Sequence, residues 1–236
     1  MNLELLEKEL NIKITKQIQE KFDIFEQLFK IYNSHTNLIS KNDEKNFFEK
    51  HIYDSLSLNK FLEKYNIKGT KKILDIGTGG GFPAIPLAIV YPEFDIFPVD
   101  SIAKKIGFIE MIQKELRLKN LHPECIRVEE FPKDKKEFFD IAVSRAVAPL
   151  NILLEYAVPF VKTEGYFIAY KAKNAATEIE QAKNALVILN SAITDRIEYA
   201  LPTEISHKRE LVAAKKTAAT PAKYPRKSGQ AKKFPL

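Results

Sequence analysis

Apolar residues recur at steps of three and four between residues 10 and 32, at Ile14, Ile18, Phe22, Phe25, Phe29 and Tyr32. That spacing predicts an amphipathic helix with a single apolar stripe. The run Asn33-Ser34-His35-Thr36-Asn37 has the composition of a loop. A second helical pattern begins at Asp43 and Glu44, acids suited to the positive end of a helix dipole, and carries Phe47, Phe48, His51, Ile52, Ser55 and Leu56 on one face. Together these segments predict a small helical cap over residues 1–65, with the aromatic stripe as its core. His51 and Asp54 are out of character on that face. A packing pair that satisfies itself accounts for them; a pair turned toward a substrate is the alternative.

From Lys71 the period changes. Short apolar runs rich in branched residues alternate with helical stretches: strands at 73–76, 94–99, 122–128, 139–143, 166–170, 196–200 and 210–213, and helices at 84–90, 102–116, 150–161 and 175–189. Strand–helix alternation predicts an α/β fold with a mainly parallel sheet covered on both faces and joined by right-handed crossovers. The domain runs from about 66 to 216.

Within it one turn stands apart. Ile73-Leu74-Asp75-Ile76 leads into Gly77-Thr78-Gly79-Gly80-Gly81-Phe82-Pro83, and four of the chain's eight glycines sit in those five positions from 77 to 81. Glycine lets backbone approach a ligand closely at a strand-to-helix turn, so this stretch is a candidate binding loop. A dinucleotide fingerprint G-x-G-x-x-G fails from Gly77, because the sixth position is Phe82, and passes from Gly79 only with Ala84 as the last small residue. The pattern D-x-G-x-G-x-G fits better, and it resembles motif I of class I S-adenosylmethionine methyltransferases. Asp100 closes the second strand, where a carboxylate can accept hydrogen bonds from ribose hydroxyls of either kind of cofactor. Ligands of such sheets sit at the carboxyl ends of the strands, by the switch point of strand order. That rule gathers Gly77, Gly79, Phe82, Asp100, Val128, Glu129 and Arg145. Arg145 follows a buried strand, where a charge needs either a ligand or a salt-bridge partner.

Charge changes the picture at one end only. The chain carries a net +6, yet residues 214–236 hold seven lysines and arginines and no acid, which leaves the rest at −1. A basic ending over 217–236 suits a polyanion, with Lys223, Tyr224, Arg226, Lys232 and Lys233 as candidate RNA contacts; a solubilising disordered end is the bland alternative. Tyr224 could stack on a base or pack. No stretch is apolar enough for a membrane span, and the N-terminus does not resemble a signal peptide. The lone Cys125 excludes an internal disulfide framework and suits a reducing, cytoplasmic setting. Four scattered histidines and one cysteine offer no metal-ligand spacing.

Motifs along the whole length then carry a resemblance. Leu74 to Ala88, His51-x-x-Asp54-Ser55-Leu56, Asn37-Leu38, Asp100-Ser101 with Lys104-Lys105, Arg127-Val-Glu-Glu130, Ser144-Arg145-Ala146 and the ending Lys223-Tyr-Pro-Arg226…Lys232-Lys233…Pro235-Leu236 are similar to the RsmG (GidB) family of bacterial guanine-N7 methyltransferases of 16S ribosomal RNA. Two positions depart from the family: Ala84 and Ala172 stand where glycine is common. The resemblance implies a class I, Rossmann-like fold with a seven-stranded sheet, S-adenosyl-L-methionine as cofactor and 16S ribosomal RNA of the small subunit as partner; the sequence leaves the oligomeric state open, and nothing in it demands more than a monomer. It also implies cofactor contacts at Gly77, Phe82, Val128, Glu129 and Arg145, and no acid or base catalyst. Three readings compete with it: a methyltransferase of another substrate, a cofactor-binding assembly factor without turnover, and, more distantly, an NAD-dependent reductase.

Overall fold

The computed structural model describes residues 2–36, 38–172, 174–202 and 204–236, without the side chains at 42 and 204–207. Asn37, noted above, and the side chain of His207, one of the four histidines, lie outside these. The cap contains α1 (Glu4–Leu10), α2 (Lys16–Thr36), α3 (Lys41–Lys45), a π-helical turn at Phe48–Tyr53, α4 (Asp54–Leu56) and α5 (Leu58–Lys64). The sheet domain follows as β1 (Lys71–Ile76), α6 (Ala84–Val90), β2 (Phe94–Asp100), α7 (Ala103–Glu115), β3 (Glu124–Cys125), β4 (Phe139–Arg145), α8 (Leu150–Ala157), β5 (Val161–Lys171), α9 (Ala175–Gln181), α10 (Lys183–Ile188), β6 (Ser191–Leu201) and β7 (Glu204–Lys216). A final turn, α11, covers Gln230–Lys233.

The seven strands are ordered β3-β2-β1-β4-β5-β7-β6. β1 pairs in parallel with both β2 and β4, so strand order reverses between β1 and β4, and β7 alone runs antiparallel to its neighbours β5 and β6. Side chains alternate between the two faces as the two-residue period of a strand requires. Ile141 and Val143 join the cap-side core while Ala142 joins the α8-side core; Phe139 also joins the α8 side because the register shifts between it and Ile141. The cap and one face of the sheet therefore share one continuous core rather than two. The aromatic stripe is core as expected: Phe25, Phe29, Phe47 and Phe82 pack with ring centroids 4.9–5.9 Å apart.

Several boundaries differ from expectation for local reasons. α2 continues through Thr36 because the polar residues bond inward: Thr36 Oγ1 donates to Tyr32 O at 2.7 Å, and buried Asn33 accepts from Ile39 N and donates to Glu44. The third strand shrinks to two residues, since Pro123 has no N–H to give to β2. The helix expected over 150–161 stops at Ala157 before Pro159, passes through a 3₁₀ turn, and β5 begins at Val161 rather than Tyr166.

The largest correction concerns the basic ending. Lys215 and Lys216 are strand residues, and the Lys216 side chain is 1% exposed, bonded to the Val158 and Val161 carbonyls and the Glu137 carboxylate. Residues beyond it pack on α8, with Tyr224 and Ala231 buried. Tyr224 cannot stack on a base from there; it is core. The segment is neither a free arm nor a separate tail.

Candidate functional site

At the carboxyl ends of β1, β2 and β4 lies a cavity of about 510 Å³. It gathers all seven residues nominated for the cofactor except that the adjoining positions Gly80, Lys105, Val147 and Tyr156 join them. The glycine turn forms its floor. Gly77 and Thr78 both donate their amides to Val99 O, at 2.9 and 3.1 Å, which ties the turn to the end of β2. Gly77 has φ +70°, and a Cβ there would lie 2.5 Å from Val147 Cγ2. The residue must therefore lack a side chain for the 146–149 loop to close on the turn.

Asp100 sits where the sequence put it. It is 8% exposed, and it accepts from the amides of Gly79 (3.2 Å) and Ile102 (3.0 Å) and from Lys105 Nζ (3.2 Å). These bonds orient the carboxylate at the cavity edge and leave it lone pairs for a ligand. Asp75, the other acid of the glycine motif, plays a different part. It is fully buried and caps α6 by accepting from Ala84 N at 3.2 Å. Burial pushes its carboxyl up to about 7, against the pull of its hydrogen bonds.

Arg145 lines the cavity and also does what its structural reading expected. Its Nη1 donates to Lys50 O (2.8 Å) and to Asp54 Oδ2 (2.9 Å), and its Nη2 meets His51 Nδ1 at 3.0 Å. His51 and Asp54 thus satisfy each other only through Arg145. Asp54 further accepts from the Tyr199 hydroxyl at 2.7 Å. Burial, and then the Arg145 charge, hold His51 down at about 3, so the imidazole is neutral and accepts at Nδ1. Phe82 is 3% exposed and stacks on His51 at 4.7 Å, with the Arg145 guanidinium 5.3 Å from its ring centre. It is chiefly a link between the glycine turn and the cap, with one edge on the cavity.

Val128 and Glu129 form a 3₁₀ turn after β3, on the opposite wall. Glu129 Oε1 accepts from Gly229 N at 3.2 Å. Tyr156 of α8 lies beside it; burial, and next the Glu129 carboxylate, push the phenol up to about 12. Of the basic candidates, Lys232 reaches the cavity rim, Lys223 and Lys233 are exposed, and Arg226 is paired with Glu155. Sequence reasoning missed Lys105, Val147, Tyr156 and Gly229. Lys105 had a signal, a cation one helical turn past Asp100; the other three had none.

A nucleoside cofactor fits these residues. The turn has three positive-φ glycines, the space around the position of a Gly79 Cβ is open to 4.0 Å, and an oriented carboxylate stands beside it. Among the described residues, no group of three or more His, Cys, Asp or Glu could hold a metal ion, and no helix is long and apolar enough to cross a membrane.

Comparison with known proteins agrees with this geometry. The GidB family, described as rRNA small subunit methyltransferase G, matches residues 18–204. The chain belongs to this family. Ribosomal RNA small subunit methyltransferase G of Desulfitobacterium hafniense is 40% identical over 234 residues, covering 98% of this chain and 95% of that protein. The protein of that description from Streptococcus pneumoniae strain R6 is 38% identical over 97% of this chain and 95% of its own. Among solved structures, a variant of the 16S rRNA (adenine(1408)-N(1))-methyltransferase from Catenulisporales acidiphilia superposes with a TM-score of 0.54 at 14% identity, over 69% of this chain and 92% of that one. The cyclase SpnF does so with a TM-score of 0.55 at 15% identity, over 70% and 81%. A methyltransferase and a cyclase on one scaffold show that the likeness is one of fold. The fold is that of class I methyltransferases, and the family membership rests on the sequence relatives.

Proposed function

We propose that this GidB-family chain transfers the methyl group of S-adenosylmethionine to N7 of a guanine in 16S ribosomal RNA of the small subunit, acting in the cytoplasm as a monomer. One observation carries the RNA reading. Identity of 38–40% to proteins named ribosomal RNA small subunit methyltransferase G extends over 97–98% of the chain, so it includes the cap and the C-terminal segment as well as the cofactor core.

When bound, S-adenosylmethionine supplies an electrophilic methyl group whose sulfonium leaves as a neutral thioether. The backbone of Gly77 and Gly79 would cradle the methionine end, Asp100 would accept from the ribose hydroxyls, and Val128-Glu129 would flank the adenine. Phe82 and Val147 supply apolar wall that keeps water from the transfer path. Three N–H groups of Arg145 are already used on the cap, leaving two to reach the cofactor carboxylate or an RNA phosphate.

Guanine N7 bears an in-plane lone pair and no proton. The nitrogen–carbon bond forms as the carbon–sulfur bond breaks, and the positive charge passes to the purine. Nothing must be deprotonated first, so in-line placement is what the protein must provide. The absence of any required base agrees with a cleft whose acids, Asp100 and Glu129, are already bonded to backbone amides. A guanine within folded RNA must be splayed out to enter.

The test is methyl transfer from labelled S-adenosylmethionine to small subunits and to naked 16S RNA from cells lacking the enzyme, with N7-methylguanine mapped by chemical strand scission. Label at a single guanine, lost with Asp100→Ala, is the expected result. Cofactor binding with no transfer to either RNA would overturn the assignment in favour of another substrate or a binding factor.

A further inference from the structure

Residues 217–236 pack on α8 and reach the cofactor cleft at Gly229 and Lys232, and Arg226 is their fixed point. Its backbone N and Nε donate to Glu155 Oε1 at 3.0 and 2.8 Å, its Nη2 bonds Oε2, and Nη2 also reaches the Phe234 carbonyl at 2.9 Å. Glu155 is 1% exposed on α8, a buried charge that this arginine alone compensates among the described ion pairs. A bidentate pair sets direction as well as distance, so the chain leaving Arg226 has one path. Three residues on, Gly229 at φ +82° turns its N–H onto Glu129, and Gly229 and Lys232 complete the cavity rim. Glu129 is thereby held from two sides, by Tyr156 of α8 and by Gly229 of the segment. Glu155 and Tyr156 are neighbours on α8, so both restraints originate at one place.

We propose that the C-terminal segment is the outer wall of the cofactor cleft on its adenosine side, positioned there by Arg226 through Glu155. The inference rests on the S-adenosylmethionine reading of the cleft. Its ligand is the nucleoside half of the cofactor, which Glu129 and Val128 face. Arg226 touches no ligand; it is a positioning residue. The basic character of the ending then serves two purposes along one segment, with Arg226 turned inward to seat the wall and Lys223 and Lys233 turned outward.

The experiment titrates adenosine and S-adenosylhomocysteine calorimetrically into the full-length chain carrying Arg226→Ala or Arg226→Lys. Arg226→Ala should weaken both ligands by a common factor, about tenfold, since the loss belongs to the half they share. Arg226→Lys, which keeps the charge but not the fork, should recover part of it. Thermal denaturation of the same samples separates this from unfolding. Should Arg226→Ala not fold, Gly229→Val keeps the Arg226–Glu155 pair; its Cβ meets open space, but a branched residue resists φ +82° and should withdraw the amide from Glu129. The same paired loss is expected. A folded variant that binds both ligands within about twofold of the parent overturns the proposal. Loss for S-adenosylhomocysteine with none for adenosine overturns it equally. If the parent binds neither ligand, the cofactor reading and the wall fall together; if it binds both yet methylates no RNA, only the RNA substrate falls.

Discussion

Arg145 Nη1 meets Asp54 Oδ2 at 2.9 Å, and through that pair the last residue of β4 grips the cap. Asp54 is 1% exposed and also bonds Tyr199 of β6, with Arg209 of β7 at 3.8 Å, so one cap carboxylate registers three strands of the sheet. Because Arg145 and Phe82 reach the cavity as well, the site's geometry depends on where the cap sits.

Asp54→Ala should therefore be among the most damaging substitutions in the cap. It strands a guanidinium that is 14% exposed, and breaking a buried pair from one side costs about 3–5 kcal/mol. Urea denaturation measures it. A loss under about 1 kcal/mol would mean that the pair behaves as a surface salt bridge.

Stability should respond to pH through two buried groups of opposite sign. His51 titrates near 3 in the fold against 6.5 when free in water, so between those values the unfolded chain binds a proton the folded chain does not. Its contribution therefore falls as pH drops, by about 1.4 kcal/mol per unit. Asp75 titrates near 7 against 3.8, so between those values the folded chain holds the extra proton and stability falls as pH rises, by a similar slope. From about pH 4 to 6.5 the two cancel. Asp75→Asn should uncover a stability that rises with pH over that window, and His51→Gln one that falls. Parallel curves for parent and both variants would refute the assignment.

The two glycines at the cleft floor should separate fold from binding. Gly77→Ala drives a Cβ to 2.5 Å from Val147 Cγ2 and must displace the 146–149 loop. Gly79→Ala meets only the Gly77 carbonyl oxygen, at a relaxed 4.0 Å, so its folding cost is that of a non-glycine residue at φ +60°, about 1–2 kcal/mol. Its methyl group projects into space that the cofactor would use. Thermal denaturation should then show the larger loss for Gly77→Ala, while folded Gly79→Ala should lose affinity for S-adenosylhomocysteine. Parental affinity in Gly79→Ala would remove that glycine from the ligand cradle.

The parts legible in the sequence were those set by local chemistry. The strand period, the glycine turn and the acid closing β2 are each written in consecutive residues, and the switch-point rule then assembled Val128, Glu129 and Arg145 without contacts in hand. What was hidden depends on residues far apart. That Asp75 caps α6 while Asp100 faces the cleft is a matter of which side of the strand end each leaves. Tyr156 reaches Glu129 from α8, and Gly229 does so only because residues 217–236 fold back over that helix. The charge count of that ending was right, but its meaning turned on Glu155 and Glu137, two acids more than sixty residues away that neutralise Arg226 and Lys216. A run of like charges reads as an exposed arm when its partners cannot be seen.

Two lysines of that segment remain turned outward. Lys223 and Lys233 are exposed, held over the rings of Tyr224 and Phe234 at 5.3 Å, and neither lines the cofactor cavity. If they contact RNA phosphates, each releases a condensed counterion on binding, and the slope of log affinity against log salt carries about 0.7 per contact to single strands. The double variant Lys223→Ala, Lys233→Ala should flatten that slope for 16S RNA by about 1.4 while leaving S-adenosylhomocysteine affinity unchanged. Arg226→Ala should do the reverse, weakening the cofactor with little change in slope, because its charge is already spent on Glu155. An unchanged slope in the double variant would move the RNA contact to the other exposed cations at the rim, Arg127 and Lys232.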